Sequence, residues 1–190
     1  MKRLVVLVGL PGSGKTDFRR RHPEWAVVSK DSIRWETFHS NYAPEYEDVV
    51  DRIFASTLVE VIASNAEVVC VDDMNLGRDT RRELIELAAL SGREAIAYVL
   101  PSEPIEELFS RANHRLEQLS ASNADLPLTD LPKARFDALV RSCEPVDVRE
   151  GFARVEQLDE LPDAGTSTVA GRSGRRKPLD RRQSLPLFVP

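Results

Sequence analysis

The chain has 190 residues and a net charge of −5, and 42% of its residues are hydrophobic. This length suits one domain with its own apolar core, and no apolar stretch approaches the roughly 18 residues of a membrane-spanning helix. The two cysteines, Cys70 and Cys143, lie far apart without metal-type spacing, which excludes a disulfide-rich or metal-stapled scaffold. Because the N-terminus carries no cleavable signal, we expect a cytoplasmic protein without a membrane partner.

Strand-like apolar runs alternate with helical patterns along the chain. The predicted helices cover residues 15–21, 46–64, 78–90 and 105–119, the last three from apolar residues spaced by three and four. Such alternation predicts an α/β fold, a P-loop kinase-like parallel sheet with helices on both faces and ligands at the carboxyl ends of the strands. The strands are predicted at residues 4–8, 25–29, 68–71 and 95–100, with a weaker fifth run at 152–155.

The last third of the chain contains a predicted lid and a predicted tail. Residues 120–132 have little apolar periodicity and two prolines, which favours a loop, so we place a small lid at about residues 115–132. Pro132 is expected to open a helix that runs to residue 141. From residue 165 onward six basic residues accompany one acidic residue among glycines and serines. We therefore expect one domain over 1–164 and a basic, disordered tail over 165–190.

A glycine-rich motif, GLPGSGKT, directly follows the first predicted strand and precedes a helix. Glycines at this spacing let successive backbone N–H groups face phosphate oxygens, and the N-terminus of the helix adds positive potential. Lys15 is expected to reach the β- and γ-phosphates, and the hydroxyl of Thr16 to bind Mg²⁺. The sequence thus predicts a site for ATP with magnesium. Its loop residues are Gly9, Pro11, Gly12, Ser13, Gly14, Lys15 and Thr16.

Two acidic residues end the third predicted strand, in the segment VVCVDD. A carboxylate there lies where a P-loop fold holds Mg²⁺ or its waters, so Asp72 and Asp73 are candidate metal ligands. Asn75 follows with an amide that could bond the loop or a substrate phosphate. Either aspartate, taken alone, could instead cap the helix that begins near Arg78.

The segment SKDSIR follows the second predicted strand. Asp31 is expected on the same rim as the loop, where a carboxylate can take the proton of an attacking hydroxyl. Arg34, three residues later, could hold an anionic part of the acceptor with its planar fork. An N-cap aspartate with a solvated arginine explains the same residues when the rest of the chain is ignored.

Arg111 and Arg115 are spaced by four on one predicted helix face, just before the lid. Two like charges at this spacing repel unless an anion lies between them, which makes both arginines candidate clamps on the triphosphate. A solvated basic helix end is the alternative for either residue alone.

The ordered set GLPGSGKT, SKDSIR, VVCVDDMNLGRDTRR and SRANHR resembles the kinase domain of polynucleotide 5′-hydroxyl kinases of the phage type, within the small P-loop kinases. The likeness covers roughly residues 1–155. It implies transfer of the γ-phosphate of ATP to a 5′-OH of DNA or RNA. On matching positions it implies Asp31 as the general base and Arg34 as the residue that binds a 3′-phosphate of the acceptor.

The same resemblance implies roles for the remaining candidates. Lys15 and Thr16 match the lysine of the loop and its hydroxyl partner. Asp73, followed by Asn75, matches an active-site aspartate in a D-x-N element. Arg111 and Arg115 match lid arginines that contact the donor phosphates, and Arg115 is expected to assist catalysis together with Lys15.

The chain also departs from the phage-type enzymes. Its body over residues 1–164 is acidic, and acidic residues rather than a basic groove surround the lid. A small-molecule kinase, acting on a sugar, a nucleoside or an antibiotic, is therefore an alternative. A nucleotide-dependent binding or regulatory module without transferase activity is a second alternative, since the tail might recruit a partner.

Overall fold

The computed structural model describes residues 1–101, 103–122 and 128–158, apart from the side chain of Ser122. Five parallel strands form one sheet in the order β2-β3-β1-β4-β5. The predicted fold class, a five-stranded parallel sheet with helices on both faces, is confirmed. The strands are β1 (Arg3–Val8), β2 (Ala26–Ser29), β3 (Val68–Asp72), β4 (Glu94–Val99) and β5 (Arg154–Gln157).

In the part of the chain that the structure describes, six α-helices connect and cover the strands. Short 3-10 turns at Pro44–Tyr46 and Val148–Glu150 precede the third helix and the last strand. The helices are α1 (Lys15–Arg20), α2 (Lys30–Phe38), α3 (Glu47–Ala63), α4 (Arg78–Leu90), α5 (Ile105–Ser122) and α6 (Lys133–Arg141).

Alternate residues of the central strand β1 point to opposite faces of the sheet, so each face has its own core. Leu4 and Val6 pack with Leu58 of α3 and Leu84 of α4 on one face. Val5 and Leu7 pack on the other face, where α1 contributes its buried phenylalanine. Burying each such side chain stabilises the fold by about 1.5–3 kcal/mol. The apolar runs that predict the strands are therefore the ones that fill both cores.

Several predicted boundaries needed correction. The fifth strand begins two residues later than predicted, at Arg154. The helix before the lid runs on to Ser122, so the first residues of the predicted loop are helical. Residues 128–132 form no regular element. Residues 123–127, and the predicted tail at 165–190, lie outside the described residues.

Helix α2 begins directly at the end of β2. The Ser29 hydroxyl accepts a hydrogen bond from the Ser32 backbone N–H at 3.4 Å, which caps the helix. Asp31 is therefore not the N-cap, and that alternative interpretation of Asp31 is wrong. In the sheet, Ser29 is the register partner of Asp72. Residues that follow these two strands consequently lie side by side at one edge of the sheet.

Candidate active site

The glycine-rich loop connects β1 to α1 at the carboxyl edge of the sheet. Gly12 and Gly14 have φ angles of 83° and 87°, in the left-handed region that side chains rarely adopt. A Cβ at Gly12 would also collide with the Leu108 carbonyl oxygen, because α5 packs directly against the loop. The hydroxyl of Ser13 is buried, and no hydrogen-bond partner for it exists within the described ranges. The loop is thus a tight backbone cradle with an unused polar group inside it.

Lys15 lies folded into this loop. Its ammonium group donates to the carbonyl oxygens of Gly9 at 2.6 Å and Leu10 at 2.8 Å. Desolvation lowers the pKa of Lys15 to about 8, although the nearby charges of Asp72, Asp31 and Asp73 act in the opposite direction. An ammonium that bonds only to carbonyls of its own loop is free to exchange these bonds for phosphate oxygens. The cradle, Ser13 and Lys15 fit a nucleoside triphosphate.

Asp72 ends β3 and is buried. Its Oδ2 forms an ion pair with Nε of Arg19, from α1, at 3.0 Å. Burial raises the pKa of Asp72, the charges of Asp31 and Asp73 raise it further, and Arg19 and Lys15 partly offset this. Asp72 is therefore held beside the loop by a cation that the sequence analysis did not identify.

Asp73 is more exposed and lies at the rim. Its Oδ1 accepts from the Met74 backbone N–H at 2.8 Å, and its Oδ2 lies 3.5 Å from Nζ of Lys30. Lys30 also pairs with Asp51 at 2.8 Å. Neither Asp72 nor Asp73 caps α4, whose N-cap is Gly77. The capping alternative for these aspartates is therefore wrong.

The oxygens of Thr16, Asp72 and Asp73 are hard ligands of the kind that Mg²⁺ takes. No cluster of three or more His, Cys, Asp or Glu side chains suited to a metal occurs over residues 1–101, 103–122 and 128–158. Such a small donor set fits magnesium, which is usually held by one or two carboxylates together with substrate phosphates.

Asn75 lies inside the protein rather than at its surface. It has a φ of 48°, and its Nδ2 donates to the carbonyl oxygens of Leu7 at 2.8 Å and Asp73 at 3.3 Å. These bonds fasten the turn after β3 to the end of β1. They give Asn75 a structural function, and its predicted contact with substrate stays a prediction.

Asp31 and Arg34 lie together on α2, one turn apart. Nη1 of Arg34 donates to Oδ1 of Asp31 at 2.7 Å, and the other two nitrogens of its guanidinium donate to both carboxylate oxygens of Glu47 at 2.8 and 2.6 Å. Arg34 is buried, so the alternative of a solvated arginine is wrong. The Asp31 side chain, in contrast, is 94% exposed. Asp31 thus offers a carboxylate oxygen to a ligand, while the hydrogen bond from buried Arg34 fixes the position of its other carboxylate oxygen.

Arg111 and Arg115 lie within α5 rather than at its end. Arg111 pairs with Glu103 and lies 4.0 Å from Glu107. Arg115 is half-buried, and it lies three residues after Ala112, in the part of α5 that packs against Gly12 of the loop. Its charge lowers the pKa of Lys15. Arg115 therefore joins the loop site, whereas Arg111 is held by carboxylates in this structure.

Several charged groups predicted from separate motifs thus meet around one ammonium group. Asp31 follows β2, Asp72 and Asp73 follow β3, and Arg115 belongs to α5, yet the charges of all four act on Lys15. This arrangement forms a donor cradle on one side and an exposed carboxylate on the other. It can bind a triphosphate and accept a proton from a second ligand.

Three charged residues near the site were missed from the sequence. Arg19 pairs with Asp72, Glu47 pairs with Arg34, and Arg135 of α6 lies over the ring of Tyr42. Each partner is distant in sequence or belongs to another element, so no spacing rule connects them. The i, i+3 spacing of Asp31 and Arg34 was the one local signal.

The fold and this loop define a P-loop protein. A family model described as an AAA domain matches residues 4–145, which is well over half of the chain. The chain therefore belongs to this family, and its predicted place among the small P-loop kinases is confirmed. No curated protein matches the chain.

Solved structures of similar fold include a chain of the Pnkp1/Rnl/Hen1 RNA repair complex and a chain from another structure of a Pnkp1/Rnl/Hen1 complex. One is 23% identical with a TM-score of 0.59 and covers 74% of this chain and 43% of its own. The other is 26% identical with a TM-score of 0.50 and covers 58% and 38%. Our chain thus spans about two fifths of the length of these relatives.

A third similar structure is Kti12 of Chaetomium thermophilum in complex with ADP-AlF3. It is 18% identical with a TM-score of 0.58, and the match covers 85% of this chain and 91% of Kti12.

Within the described residues, no helix has both the length and the apolar character to cross a membrane.

Proposed function

We propose that this protein is an ATP-dependent kinase that transfers the γ-phosphate to a hydroxyl group, most specifically the 5′-OH end of DNA or RNA. The exposed carboxylate of Asp31, whose charge acts on Lys15, carries this proposal. A P-loop used only for hydrolysis or motion needs no second carboxylate that faces an acceptor. Similarity to a chain of a Pnkp1/Rnl/Hen1 complex, at 26% identity, supports the proposal.

The proposed reaction moves one phosphoryl group and one proton. The acceptor oxygen forms a bond to the γ-phosphorus, the bond from that phosphorus to the β,γ-bridging oxygen breaks, and ADP leaves. Asp31 takes the proton of the hydroxyl as the new bond forms. Lys15 and Arg115 stabilise the negative charge on the transferred group. The donor loop includes Gly9, Pro11, Gly12, Ser13, Gly14 and Thr16. Arg111, which pairs with Glu103 in this structure, is the second predicted contact to the donor phosphates.

Magnesium, when bound, neutralises charge on the β- and γ-phosphates. Thr16, Asp72 and Asp73 are the residues that would hold it. Since Asp72 is paired with Arg19, the more exposed Asp73 is the better first ligand. In this proposal Arg34, Asp73 and Asn75 are the predicted contacts to the acceptor side.

A small hydroxyl compound is the second candidate acceptor. A cleft between α5 and residues 128–130 is lined by Glu117 and Asp130, so this part of the surface carries negative charge. Negative charge there disfavours a long polyanion that would run across it and favours a short or neutral acceptor. A nucleotide-dependent regulatory module, without transfer, is the third possibility.

A screen of phosphoryl transfer from γ-labelled ATP tests the three possibilities. The acceptors are 5′-OH oligonucleotides of DNA and RNA, nucleosides, sugars and aminoglycosides, each assayed with magnesium. We expect label on an oligonucleotide 5′ end. Label on small compounds alone would show that the acceptor is a small molecule and not a nucleic-acid end. Acceptor-independent ATP hydrolysis without any labelled product would favour the regulatory module.

A further inference from the structure

Each of the two carboxylates proposed to hold magnesium already faces a cation of the protein itself. Arg19 of α1 lies 3.0 Å from Asp72, and Lys30 of α2 lies 3.5 Å from Asp73. A divalent cation that binds either carboxylate must compete with the positive charge beside it. The cation that can move therefore decides which aspartate is available to a metal.

The register of the sheet explains why Lys30 meets Asp73. Ser29 at the end of β2 is the register partner of Asp72 at the end of β3, and a charged residue directly follows each of them. Lys30 and Asp73 thus begin the two segments that leave neighbouring strands at the same edge. The backbone fixes Lys30 close to the proposed metal site, whereas its long, flexible side chain can reach more than one partner.

Lys30 has a second and closer carboxylate partner. Its Nζ lies 2.8 Å from Oδ1 of Asp51, on α3, and 5.3 Å from the ring centroid of Phe54 on the same helix. Asp51 and Phe54 are three residues apart, so both contacts come from one face of α3. Lys30 can therefore leave Asp73 without losing its counter-ion.

Arg19 has no such alternative. Over residues 1–101, 103–122 and 128–158, its guanidinium forms an ion pair with Asp72 alone, and its Nε is buried. Moving Arg19 away would leave Asp72, a buried carboxylate, without its ion-pair partner, which is costly. Lys30, in contrast, is a point charge with three donors between two carboxylates. Of the two ion pairs, the one at Asp73 is the one that can open.

The charges around Lys30 favour a further cation at Asp73. Asp51 neutralises Lys30, so Asp73 keeps its negative charge for another partner. Without Asp51, the ammonium would pair with Asp73 alone and would oppose a metal there. Oδ1 of Asp73 accepts a hydrogen bond from the Met74 N–H at 2.8 Å, which fixes the carboxylate while Oδ2 exchanges partners.

We propose that Lys30 is a positioning residue that sets the magnesium affinity of the site, and that Asp51 strengthens this affinity by drawing Lys30 away from Asp73. The inference rests on the proposed donor site for a nucleotide with magnesium and deepens it. Neither Lys30 nor Asp51 touches the metal. Their effects have opposite signs, because Lys30 opposes the metal and Asp51 removes that opposition.

Binding of adenylyl imidodiphosphate, an ATP analogue that is not hydrolysed, tests the proposal without a transfer step. Calorimetry measures its affinity for the full chain in EDTA and in an excess of MgCl2, and the ratio of the two affinities is the magnesium enhancement. Lys30→Gln should raise this enhancement about three- to tenfold, and Asp51→Asn should lower it about threefold or more. In EDTA, the affinity of Lys30→Gln should stay within about twofold of the wild type.

A double substitution separates an action through Lys30 from a direct effect of the Asp51 charge. In Lys30→Gln, the further change Asp51→Asn should leave the enhancement unchanged within about twofold, since no ammonium remains to be drawn away. If Asp51→Asn lowers the enhancement as much in Lys30→Gln as in the wild type, Asp51 acts on the metal directly and the proposal is overturned.

Two exposed residues of α3 supply matched controls. Arg52→Gln removes a positive charge and Asp48→Asn a negative one, and neither residue pairs with Lys30 within the described ranges. Both variants should keep the wild-type enhancement. If Lys30→Gln does not fold by circular dichroism, Lys30→Met replaces it, with the same expected rise.

An enhancement in Lys30→Gln that equals the wild-type value, or falls below it, would overturn the proposal. A clear loss of affinity in EDTA would overturn it as well, because the ammonium would then contact the phosphates themselves.

The outcomes also separate this inference from the proposed kinase function. Opposite shifts in Lys30→Gln and Asp51→Asn, without label transfer to any acceptor, would support the role of Lys30 and overturn the kinase function. Label transfer by the wild type, with an unchanged enhancement in both variants, would keep the kinase and overturn the role of Lys30. Failure of the wild type to bind the analogue would overturn both.

Discussion

Arg34 and Glu47 form a bidentate pair, with N–O distances of 2.8 and 2.6 Å, that connects α2 to the start of α3. The pair also fixes Arg34 beside Asp31, because Nη1 of Arg34 donates a hydrogen bond to Asp31. A hydrogen bond to a charged group contributes more than a neutral one, and leaving a buried guanidinium underpaired adds a penalty.

We therefore predict that Glu47→Gln lowers the free energy of unfolding by about 2 kcal/mol. Urea unfolding followed by circular dichroism measures the change. Glu45→Gln, an exposed glutamate two residues away, is the control and should stay within about 0.5 kcal/mol of the wild type. A Glu47→Gln protein as stable as the wild type would show that the pair contributes nothing to stability.

Asp31→Asn should separate transfer from binding. An amide cannot accept the hydroxyl proton, so we expect transfer to fall by about 100-fold or more. Nucleotide affinity should stay nearly unchanged, because in the proposed reaction Asp31 contacts the acceptor and not the nucleotide. Label transfer and a nucleotide titration measure the two quantities. Asp79→Asn, at an exposed aspartate of α4, is the control, and normal turnover of Asp31→Asn would remove Asp31 as the base.

The sequence predicted the sheet well because its signal is local. Each strand is a short apolar run, and the glycine motif requires a strand before it and a helix after it. Helix α2 is not among the predicted helices, and Asp31 was the residue considered as an N-cap there. The structure assigns the cap to Ser29, whose hydroxyl reaches the Ser32 N–H.

The charged partners of the site could not be predicted in the same way. Glu47 reaches Arg34 over 13 residues, and Arg135 reaches Tyr42 from a helix beyond the lid. These contacts depend on how α2, α3 and α6 pack against one another, and the spacing of residues in the sequence does not predict this packing. A sequence pattern therefore located Asp31 and Arg34 but not the groups that decide which of them a ligand can reach.

Gly12→Ala should weaken nucleotide binding. The position combines a φ of 83° with the Leu108 carbonyl oxygen in the space that a Cβ would fill, so the loop must move away from α5. We expect the nucleotide affinity to fall by more than about tenfold, measured by calorimetry. Gly92→Ala is the control: its φ is 66°, but nothing lies within 4 Å of the added Cβ. It should cost about 1 kcal/mol of stability and leave nucleotide affinity unchanged.

If Gly12→Ala bound the nucleotide as the wild type does, the tight contact between the loop and α5 would be irrelevant to the donor site. A change of similar size in Gly92→Ala would instead show that strain alone, away from the loop, weakens binding.

The affinity for ATP should fall as the pH rises above about 8. The pKa of Lys15 in the nucleotide-free protein is about 8, because desolvation outweighs the nearby carboxylates. A triphosphate attracts the protonated form, so binding takes up a proton and weakens as Lys15 deprotonates. The phosphates themselves are already ionised in this range, since their last pKa lies near 6.

Titrations of ATP between pH 7 and about 9.5 measure this effect, with a limiting slope of about tenfold per pH unit. Lys15→Met should bind more weakly and show no such slope. A wild-type affinity that is constant over this range would mean that Lys15 does not contact the phosphates.

The buried ion pair of Arg81 and Glu150 should contribute strongly to the free energy of unfolding and support the turn that carries Asp73 and Asn75. Arg81 is fully buried, its Nε and Nη2 donate to Glu150 at 2.8 and 2.9 Å, and its Nη1 donates to the Leu76 carbonyl oxygen at 2.6 Å. Removing one partner of a buried pair costs about 3–5 kcal/mol, so we expect about 3 kcal/mol for Glu150→Gln, which keeps one acceptor oxygen. Glu156→Gln breaks the more exposed pair with Arg154 and should cost less than about 1 kcal/mol.

The same pair predicts a specific dependence on acid. Burial alone would raise the pKa of Glu150, but hydrogen bonds from Arg81 and from the Asp147 backbone lower it. A carboxyl whose pKa is lower in the folded state stabilises the protein above its unfolded pKa and loses this contribution as the pH falls through the folded value. Urea unfolding at pH 7 and at pH 4 should thus show a smaller loss for Glu150→Gln than for the wild type. Equal losses in both proteins would show that the Glu150 carboxyl is not linked to folding, and the turn that carries Asp73 and Asn75 would then be held mainly by the carbonyl bonds of Arg81.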